Sequence, residues 1–363
     1  MNSEMRNRYE PDLVTPPGAI LLEKLEELGM TQAELAGRIG RTKKTVNAIV
    51  NGKAPILSET ALQLERALAI PSRFWTNAEG QYREFLAREE ERARLGGDLG
   101  WLKTIPVKKM IRLGWLPRRS DSVASLRDVL NFFGVASFDA LSRMEQEKRL
   151  AFRQPAVRRA DRYSLLAWIR RGEIEALRLH CDPYDEKRFR GILAGIRTLT
   201  REPAGKCGPR MVRLCATAGV ALVFVPEIPG TGAWGVTHWM SPGKAVVQLA
   251  TPVKSCDCMW FAFFHEAAHI LAHPKRGIFV ELSGVTGSRE EEADRIASDF
   301  LIPPPDWRVV ARARPKSAAE VRELAKRLSI APGILVGRLQ REGLLPSTHL
   351  NALKSKLKLR TAS

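Results

Sequence analysis

Two histidines and a glutamate in one short segment have the spacing needed to bind a metal ion. His265 and His269 are four residues apart, and Glu266 directly follows the first histidine. On an α-helix this spacing places both imidazoles on one face, one turn apart, where they can share a single ion. Glu266 stands beside them, where it can reach a water bound to that ion without ligating the ion itself. The segment therefore predicts a metal centre with a carboxylate placed for proton transfer.

The same five residues, 265–269, match the H-E-x-x-H motif of zinc peptidases. In that chemistry zinc lowers the pKa of its water and polarises a carbonyl, while the glutamate takes up the proton and passes it to the leaving amine. The number of chance matches to this motif expected in a chain of this composition is on the order of one in a hundred, so the motif is informative. The apolar segment 259–264 places the helix in a core, where such polar groups are costly without a partner. The alternative is a pair of hydrogen-bonded core histidines.

A catalytic zinc ion normally has three protein ligands, so the motif requires a third. His273 follows His269 by four residues, but it stands at the predicted end of the helix and is expected to be a rim residue. On the next predicted helix, Glu290 and Asp294 are one turn apart and share a face, so Glu290 can ligate while Asp294 accepts an imidazole N–H. A shift of register would exchange Glu290 for Glu292. The alternative is that these glutamates form a solvated first turn, favoured by the helix dipole.

The surrounding sequence resembles the ImmA/IrrE metallopeptidase family over roughly residues 205–310. That family pairs H-E-x-x-H with a later E-x-x-A-[ND] and a terminal L-x-x-P-like stop, and the pieces are here in order within residues 219–249, 260–273 and 290–303. The resemblance implies a small zincin-like α+β fold and cleavage of a transcriptional repressor or antitoxin-like protein. It also implies four site residues, with Glu266 as the general base and as metal ligands His265, His269 and Glu290.

The predicted cofactor is zinc, because two imidazoles and one carboxylate suit it well, although this donor set does not exclude manganese. His238 lies on a predicted strand, 233–240, that precedes the metal helix. One interpretation is that a substrate peptide pairs with this strand and that His238 steadies the oxyanion. The other is that His238 is an ordinary exposed residue of the strand.

A second motif near the N-terminus has the residue types of a DNA-reading helix. Two short helices are predicted within Thr31–Gly52, the first with a capping box and the second capped by a threonine. Lysine neutralises phosphate, asparagine can bind adenine through two hydrogen bonds, and a glutamine at the start of the first helix can meet the DNA backbone. The predicted DNA-contacting residues are Gln32, Thr42, Lys43, Lys44, Asn47 and Asn51.

The segment Thr31–Gly52 resembles the helix-turn-helix of the Xre family, and the stretch from Pro17 to about Ala87 resembles HigA-type antitoxins. The resemblance implies double-stranded DNA as a partner, and the symmetry of such domains makes a homodimer the expected assembly. A formal net charge of +18 also favours a polyanionic partner. The alternatives are a five-helix bundle used only for protein contacts and a basic surface that serves solubility.

The length of 363 residues indicates two or three domains rather than one. We predict a multidomain chain with an all-α helix-turn-helix domain and an α+β zincin-like metallopeptidase domain, joined by a helical connector and followed by a helical C-terminus. The predicted boundaries are 1–92 for the helix-turn-helix domain, 93–204 for the basic connector, 205–311 for the peptidase domain and 312–363 for the basic C-terminal region.

The cysteines and the apolar pattern indicate a protein of the cytoplasm. Five cysteines are an odd number and too few for a disulfide framework in a chain of this length, so reduced thiols are expected. The N-terminal segment has no apolar stretch typical of a secretion signal. No run of about 18 apolar residues is present, and no membrane partner is predicted.

Two functions fit these features. In the first, the chain is a DNA-binding regulatory zinc metalloendopeptidase that cleaves a transcriptional repressor or an antitoxin. In the second, it is a HigA-like antitoxin or transcriptional repressor whose metal domain acts as a sensor. The presence of Glu266 favours the first, because a sensor needs metal ligands but no general base.

Overall fold

Capping side chains and glycines divide the N-terminal part of the chain into short helices in the computed structural model of the protein. Thr31 Oγ1 accepts a hydrogen bond from the Glu34 backbone N–H at 3.2 Å, and Thr42 Oγ1 accepts one from Thr45 at 3.1 Å. These are the helix N-caps expected from the sequence. Gly40 ends the helix that Thr31 caps. Its φ of +64° is a backbone conformation that suits glycine. The helices are α1 (Pro17–Glu27), α2 (Gln32–Arg38), α3 (Lys43–Val50), α4 (Ser58–Leu68) and α5 (Ser72–Gly97).

The structure describes most of the chain, which divides into two compact units, Met1–Asp98 and Leu99–Ser363. Across the described residues no helix is both long enough and apolar enough to cross a membrane. The residues described are 14–152, 159–202, 204–229, 231–251, 255–273, 279–282 and 287–355.

The close approach of α1 to α3 fixes the shape of the first unit. A Cβ atom at Gly18 would overlap the carbonyl oxygens of Ile49 and Val50, so only glycine allows the two helices to come this near. Leu21 and Leu25 of α1 enter the core that also contains Ile49. This contact holds α3 with one face buried and the opposite face exposed.

The second unit contains eleven α-helices and four strands among its described residues. A parallel pair, β1 with β3, is extended by β2 and then β4, both antiparallel, which gives the order β1-β3-β2-β4. Its strands are β1 (Val220–Pro226), β2 (Ala233–Ser241), β3 (Lys244–Thr251) and β4 (Phe279–Leu282). Its helices are α6 (Val107–Arg112), α7 (Ser122–Phe133), α8 (Phe138–Phe152), α9 (Arg159–Arg178), α10 (Glu186–Thr198), α11 (Ala204–Ala216), α12 (Cys256–Ala272), α13 (Ser288–Leu301), α14 (Pro304–Ala313), α15 (Ala318–Arg327) and α16 (Pro332–Arg341).

The sheet is covered by helices on both faces. Thr237 of β2 donates a hydrogen bond from Oγ1 to the Glu266 carbonyl on α12, at 3.1 Å. Gln248 of β3 donates from Nε2 to the Trp168 carbonyl on α9, at 2.8 Å, on the opposite face. Because side chains alternate between the two faces of a strand, these contacts fix which residues of β2 and β3 face the helix that carries the metal motif.

One hydrophobic core connects the sheet with helices before and after it. It includes Leu193 of α10, Val247 of β3, Phe263 of α12 and Leu339 of α16, all essentially inaccessible to solvent. The predicted domain boundaries at 204 and 311 therefore fall between residues that share this core, and those boundaries stay predictions. The largely helical, multidomain architecture was expected. The zincin-like class of the second unit remains a prediction.

Two elements near the site have features that the sequence did not indicate. Helix α11 spans Ala204–Ala216 with Pro209 inside it, although proline normally ends a helix. Strand β4 was not predicted, because its four residues show no alternation long enough to read.

The helix pair α15–α16 repeats the local geometry of α2–α3. The residues Leu35-Ala36-Gly37-Arg38-Ile39-Gly40 correspond to Leu324-Ala325-Lys326-Arg327-Leu328-Ser329, and the last residue of each has positive φ, +64° and +56°. The same backbone hydrogen bond closes both turns. Arg41 N–H donates to the Ala36 carbonyl at 2.9 Å, and Ile330 N–H donates to the Ala325 carbonyl at 3.1 Å. The L-A-x-R pattern, present in both helix pairs, is the signal of this repeat in the sequence.

Candidate metal centre and nucleic-acid interface

The structure brings His265, His269 and Glu290 together from two helices. His265 and His269 lie on successive turns of α12, and their Nε2 atoms are 3.0 Å apart. Oε2 of Glu290, from the first turn of α13, is 3.1 Å from the His265 Nε2 atom and 3.5 Å from the His269 Nε2 atom. Both imidazoles are buried and Glu290 is partly buried. The three donor atoms thus form a compact triangle below the surface.

The dimensions of this triangle fit a tetrahedral metal ion. Zinc bound at about 2.0 Å by nitrogen and oxygen has neighbouring ligand atoms about 3.3 Å apart. The observed edges of 3.0, 3.1 and 3.5 Å surround that value. Two imidazoles and one carboxylate are also a donor set that zinc accepts. His265, His269 and Glu290 would therefore hold the ion, with a fourth position left for another ligand.

Asp294 orients one of the two imidazoles. Its Oδ1 atom is 2.8 Å from Nδ1 of His265, and it lies one turn beyond Glu290 on α13. The carboxylate favours the tautomer in which Nδ1 carries the proton and donates it to Asp294. The lone pair of Nε2 then points into the triangle, which is the arrangement that a metal ligand needs.

Burial and mutual contact shift the pKa values of the cluster toward the states that bind metal. Burial lowers the pKa of His269 below its usual value, which keeps the imidazole neutral. For Glu290, burial alone would raise the pKa, but hydrogen bonds and charge from His265 and His269 outweigh it and lower the pKa to about 2. A neutral imidazole and an ionised carboxylate are the forms that a metal ion requires.

Glu266 lies beside the cluster but on the side of the sheet. It is fully buried, and its carboxylate packs against the backbone of Gly235 on β2. A Cβ at Gly235 would stand 2.7 Å from Cγ and 2.8 Å from Cδ of Glu266, which is too close for real atoms. The absence of a side chain at position 235 therefore provides the space that Glu266 occupies.

We expect Gly235→Ala to destabilise the second unit by about 1–3 kcal/mol, because the added methyl group must displace the Glu266 carboxylate. Chemical denaturation of the full chain measures this. Gly243→Ala is the matched control, since a Cβ at Gly243 meets no atom within 4 Å among the described residues. Equal free energies of unfolding for the two variants would contradict the position assigned to Glu266.

A cavity of about 560 Å³ opens onto one side of the metal cluster. It is bounded by α12, α13 and α16, and His265, Glu290 and Asp294 are among the residues that line it. Neither Glu266 nor His269 lines it. Trp234 of β2, the residue before Gly235, also lines the cavity.

Both interpretations of His238 are wrong. The residue is buried rather than exposed, at 4% of its full accessibility, and its Nε2 atom is 4.0 Å from Oε1 of Glu173 on α9. It therefore faces α9, because Gly235 and Thr237 take the α12 face and side chains alternate. In addition, the part of β2 from Gly235 to Thr237 is paired with β3 on one side and β4 on the other, so this part offers no free edge to a substrate peptide.

His273 lies close to the cluster but outside the triangle. Its ring centroid is 5.1 Å from that of His269, and its Nε2 atom is 3.4 Å from the Arg289 carbonyl oxygen. It stands at the C-terminal end of α12, as the sequence indicated. Glu292, the alternative to Glu290, is half-buried and does not belong to the cluster.

The predicted DNA-contacting residues form a polar row on the outer face of the first unit. Asn47 Nδ2 donates to Gln32 Oε1 at 3.2 Å, and Asn51 Nδ2 donates to the Asn47 carbonyl at 2.7 Å. These bonds hold the amide groups in fixed orientations along α3. Lys43 and Lys44 are exposed in the first turn of the same helix. Thr42, in contrast, uses its hydroxyl to cap α3.

Residues 21–75 match the family model described as helix-turn-helix. The first unit is a helix-turn-helix domain. This match and the geometry of α2 and α3 confirm the predicted N-terminal helix-turn-helix domain. The matched residues are a minor part of the chain and lie within the first unit. No curated protein matches the chain.

Several solved structures are similar to the N-terminal part of the chain. One is an addiction module antidote protein of the HigA family from Coxiella burnetii, with 30% identity, covering 23% of this chain and 91% of that one, at a TM-score of 0.22. Another is the Pseudomonas aeruginosa antitoxin HigA with the higBA promoter, with 29% identity, covering 23% and 90%, at a TM-score of 0.22. A third is the antitoxin GraA, with 28% identity, the same coverage of 23% and 90%, and a TM-score of 0.22.

Proposed function

We propose that the protein is a DNA-binding transcriptional regulator whose second unit carries a zinc centre. The observation that carries the DNA-binding part is the exposed face of α3, where two lysines and two hydrogen-bonded asparagines stand in a row on a helix-turn-helix domain. Lysines in the first turn neutralise phosphate, and the asparagines read bases. The HigA-like sequence of residues 17–87 makes an antitoxin or autorepressor the more specific form of this proposal.

The zinc centre is assigned a sensing role in this proposal. Its support is the cavity that His265, Glu290 and Asp294 help to line. A ligand that enters the cavity can thus contact two of the three proposed metal ligands. Asp294 already orients the His265 imidazole, so the three donor atoms are in place to receive an ion.

The second candidate is a metallopeptidase that cleaves a repressor or antitoxin. The observation in its favour is Glu266 itself, a carboxylate directly next to the ligand His265 in an H-E-x-x-H segment. A bound zinc ion would supply a Lewis acid and an acidified water there. Glu266 would take up the proton from that water and return it to the leaving amine.

One experiment separates the two functions. In a cleavage assay, the full chain is incubated, with and without zinc, with the proteins encoded by neighbouring regulatory genes. In a binding assay, the affinity of the full chain for DNA sites selected from a random pool is measured with and without zinc. The sensor function predicts that zinc changes the DNA affinity by at least about fivefold, equally in the wild type and in Glu266→Gln, since a sensor needs no base. The peptidase function predicts zinc-dependent cleavage that Glu266→Gln abolishes. No zinc effect on DNA affinity, together with such cleavage, would refute the sensor.

A further inference from the structure

The cavity next to the zinc centre has the size and the lining of a small-molecule site. Its volume of about 560 Å³ falls within the range of roughly 300–1,000 Å³ typical of such sites. Apolar side chains form much of its wall, among them Phe261 of α12, Leu301 of α13 and Ile334 of α16. Polar groups also line it, among them the proposed metal ligands His265 and Glu290 and the C-terminal cations Arg341 and Lys354.

The C-terminal helix pair builds one wall of this cavity instead of exposing a DNA-reading face. In α16 the positions equivalent to Lys44 and Asn47 of α3 are Gly333 and Val336, and both are buried. A Cβ at Gly333 would stand 3.1 Å from the carbonyl oxygen of Leu353, so the chain that follows covers this face. The helix-turn-helix geometry is thus used here to place the side chains of α16 against α12.

Two cations of this wall are held by protein groups. Arg338 donates from Nη1 to the carbonyl oxygens of Ser298, at 2.7 Å, and Ile302, at 2.6 Å, which ties α16 to the end of α13. Lys354 forms a 2.8 Å ion pair with Asp257 of α12. These contacts give the cavity fixed walls, and pre-formed walls lower the entropic cost of binding a ligand.

Arg341 stands over an aromatic ring at the exposed end of the cavity. Its guanidinium carbon is 3.2 Å from the centroid of the Phe261 ring, and that ring is 6.2 Å from the His265 ring. The side chain is therefore close to the metal cluster, separated from it by one aromatic residue. A guanidinium stacked in this way presents its planar edge, which matches a carboxylate.

The charges of the lining favour an anionic ligand when the metal is bound. The carboxylates Asp257, Glu290 and Asp294 balance the cations Arg338, Arg341 and Lys354. A divalent ion therefore adds positive charge to this lining, and an anionic ligand can offset it. A carboxylate suits both the metal and Arg341, because zinc accepts oxygen ligands and arginine binds carboxylates through two hydrogen bonds.

Resting on the proposed zinc centre, we propose that this cavity binds a small dicarboxylate, with one carboxylate at the His265–His269–Glu290 cluster and the other at Arg341. The binding site thereby defines the signal of the sensor as a small organic diacid. The ligand spans from α12 and α13 to α16, so its binding is expected to tighten the contact between these helices.

The test uses the full chain loaded with one equivalent of zinc and titrated calorimetrically with glutarate, butyrate and glutaramide. We expect binding of glutarate, at least about tenfold weaker binding of the other two, and no glutarate binding after zinc is removed with a chelator. The variant Arg341→Gln is expected to weaken glutarate binding by about tenfold, whereas Arg341→Lys, which keeps the charge, weakens it less. Zinc content is measured after each titration to show that the diacid has not extracted the ion.

Arg312→Gln is the matched control, because it removes one exposed cation of the second unit outside the cavity lining and is expected to leave glutarate binding unchanged. Equal glutarate affinity in Arg341→Gln and the wild type would overturn the inference. Binding of an acidic tripeptide, Ala-Ala-Glu, without binding of glutarate would overturn it in favour of a peptide ligand. Zinc that binds without any effect of diacids refutes this inference alone, whereas failure of the wild type to bind zinc refutes the proposed zinc centre.

Discussion

Substitution of His265 by alanine is expected to lower the affinity for zinc by more than about 100-fold. Removal of a residue that merely orients a ligand already costs about 10–100-fold, and His265 is itself a corner of the donor triangle. Asp294→Ala, which leaves the triangle intact, should therefore fall in that lower range. Competition with a fluorescent zinc chelator measures both affinities.

The same variants should separate in thermal stability. With free zinc at a hundred times its Kd, the wild type gains about 2.7 kcal/mol of stability, and His265→Ala should lose this gain. His273→Ala is the matched control: it removes an imidazole one turn away from His269 that is not part of the triangle. Loss of zinc binding in His273→Ala, with retention in Glu290→Gln, would show that the third ligand has been assigned to the wrong residue.

Replacement of Lys43, Lys44 and Asn47 by alanine is expected to abolish specific DNA binding. Two lysines lost from the first turn of α3 should reduce the slope of log K against log salt by about 2, because each neutralised phosphate contributes close to one. The loss of Asn47 adds about 1–3 kcal/mol for a base contact and also removes the partner of Gln32 and Asn51. Fluorescence anisotropy at several salt concentrations measures both effects.

The control for this triple variant is Arg88→Ala/Arg92→Ala, which removes two positive charges from α5 outside residues 31–52. It should leave the salt slope and the sequence preference unchanged. A triple variant of α3 that binds the selected sites as well as the wild type does would show that the first unit contacts DNA through another surface, or serves only protein contacts.

Local sequence determined the parts of each site that lie on a single helix. The i, i+4 spacing of His265 and His269 fixes their shared face wherever α12 packs, and the same rule places Glu290 and Asp294 on one face of α13. Thr31 and Thr42 cap their helices through bonds to residues three positions later, which the sequence alone specifies. These features depend on hydrogen bonds and periodicity within one turn.

Tertiary structure decided the features that depend on how distant segments meet. The face of the sheet on which His238 lies follows from the register of β2 between β3 and β4. Because both faces of this sheet are buried, the local sequence contains no signal that distinguishes one face from the other. The place of Glu266 depends on Gly235, about thirty residues earlier in the chain. The cavity at the His265–His269–Glu290 cluster exists because α16 packs on α12, so a C-terminal segment that the sequence predicts only as a basic helical region supplies its wall. Periodicity fixes faces within an element, but only the packing of the core fixes which faces meet.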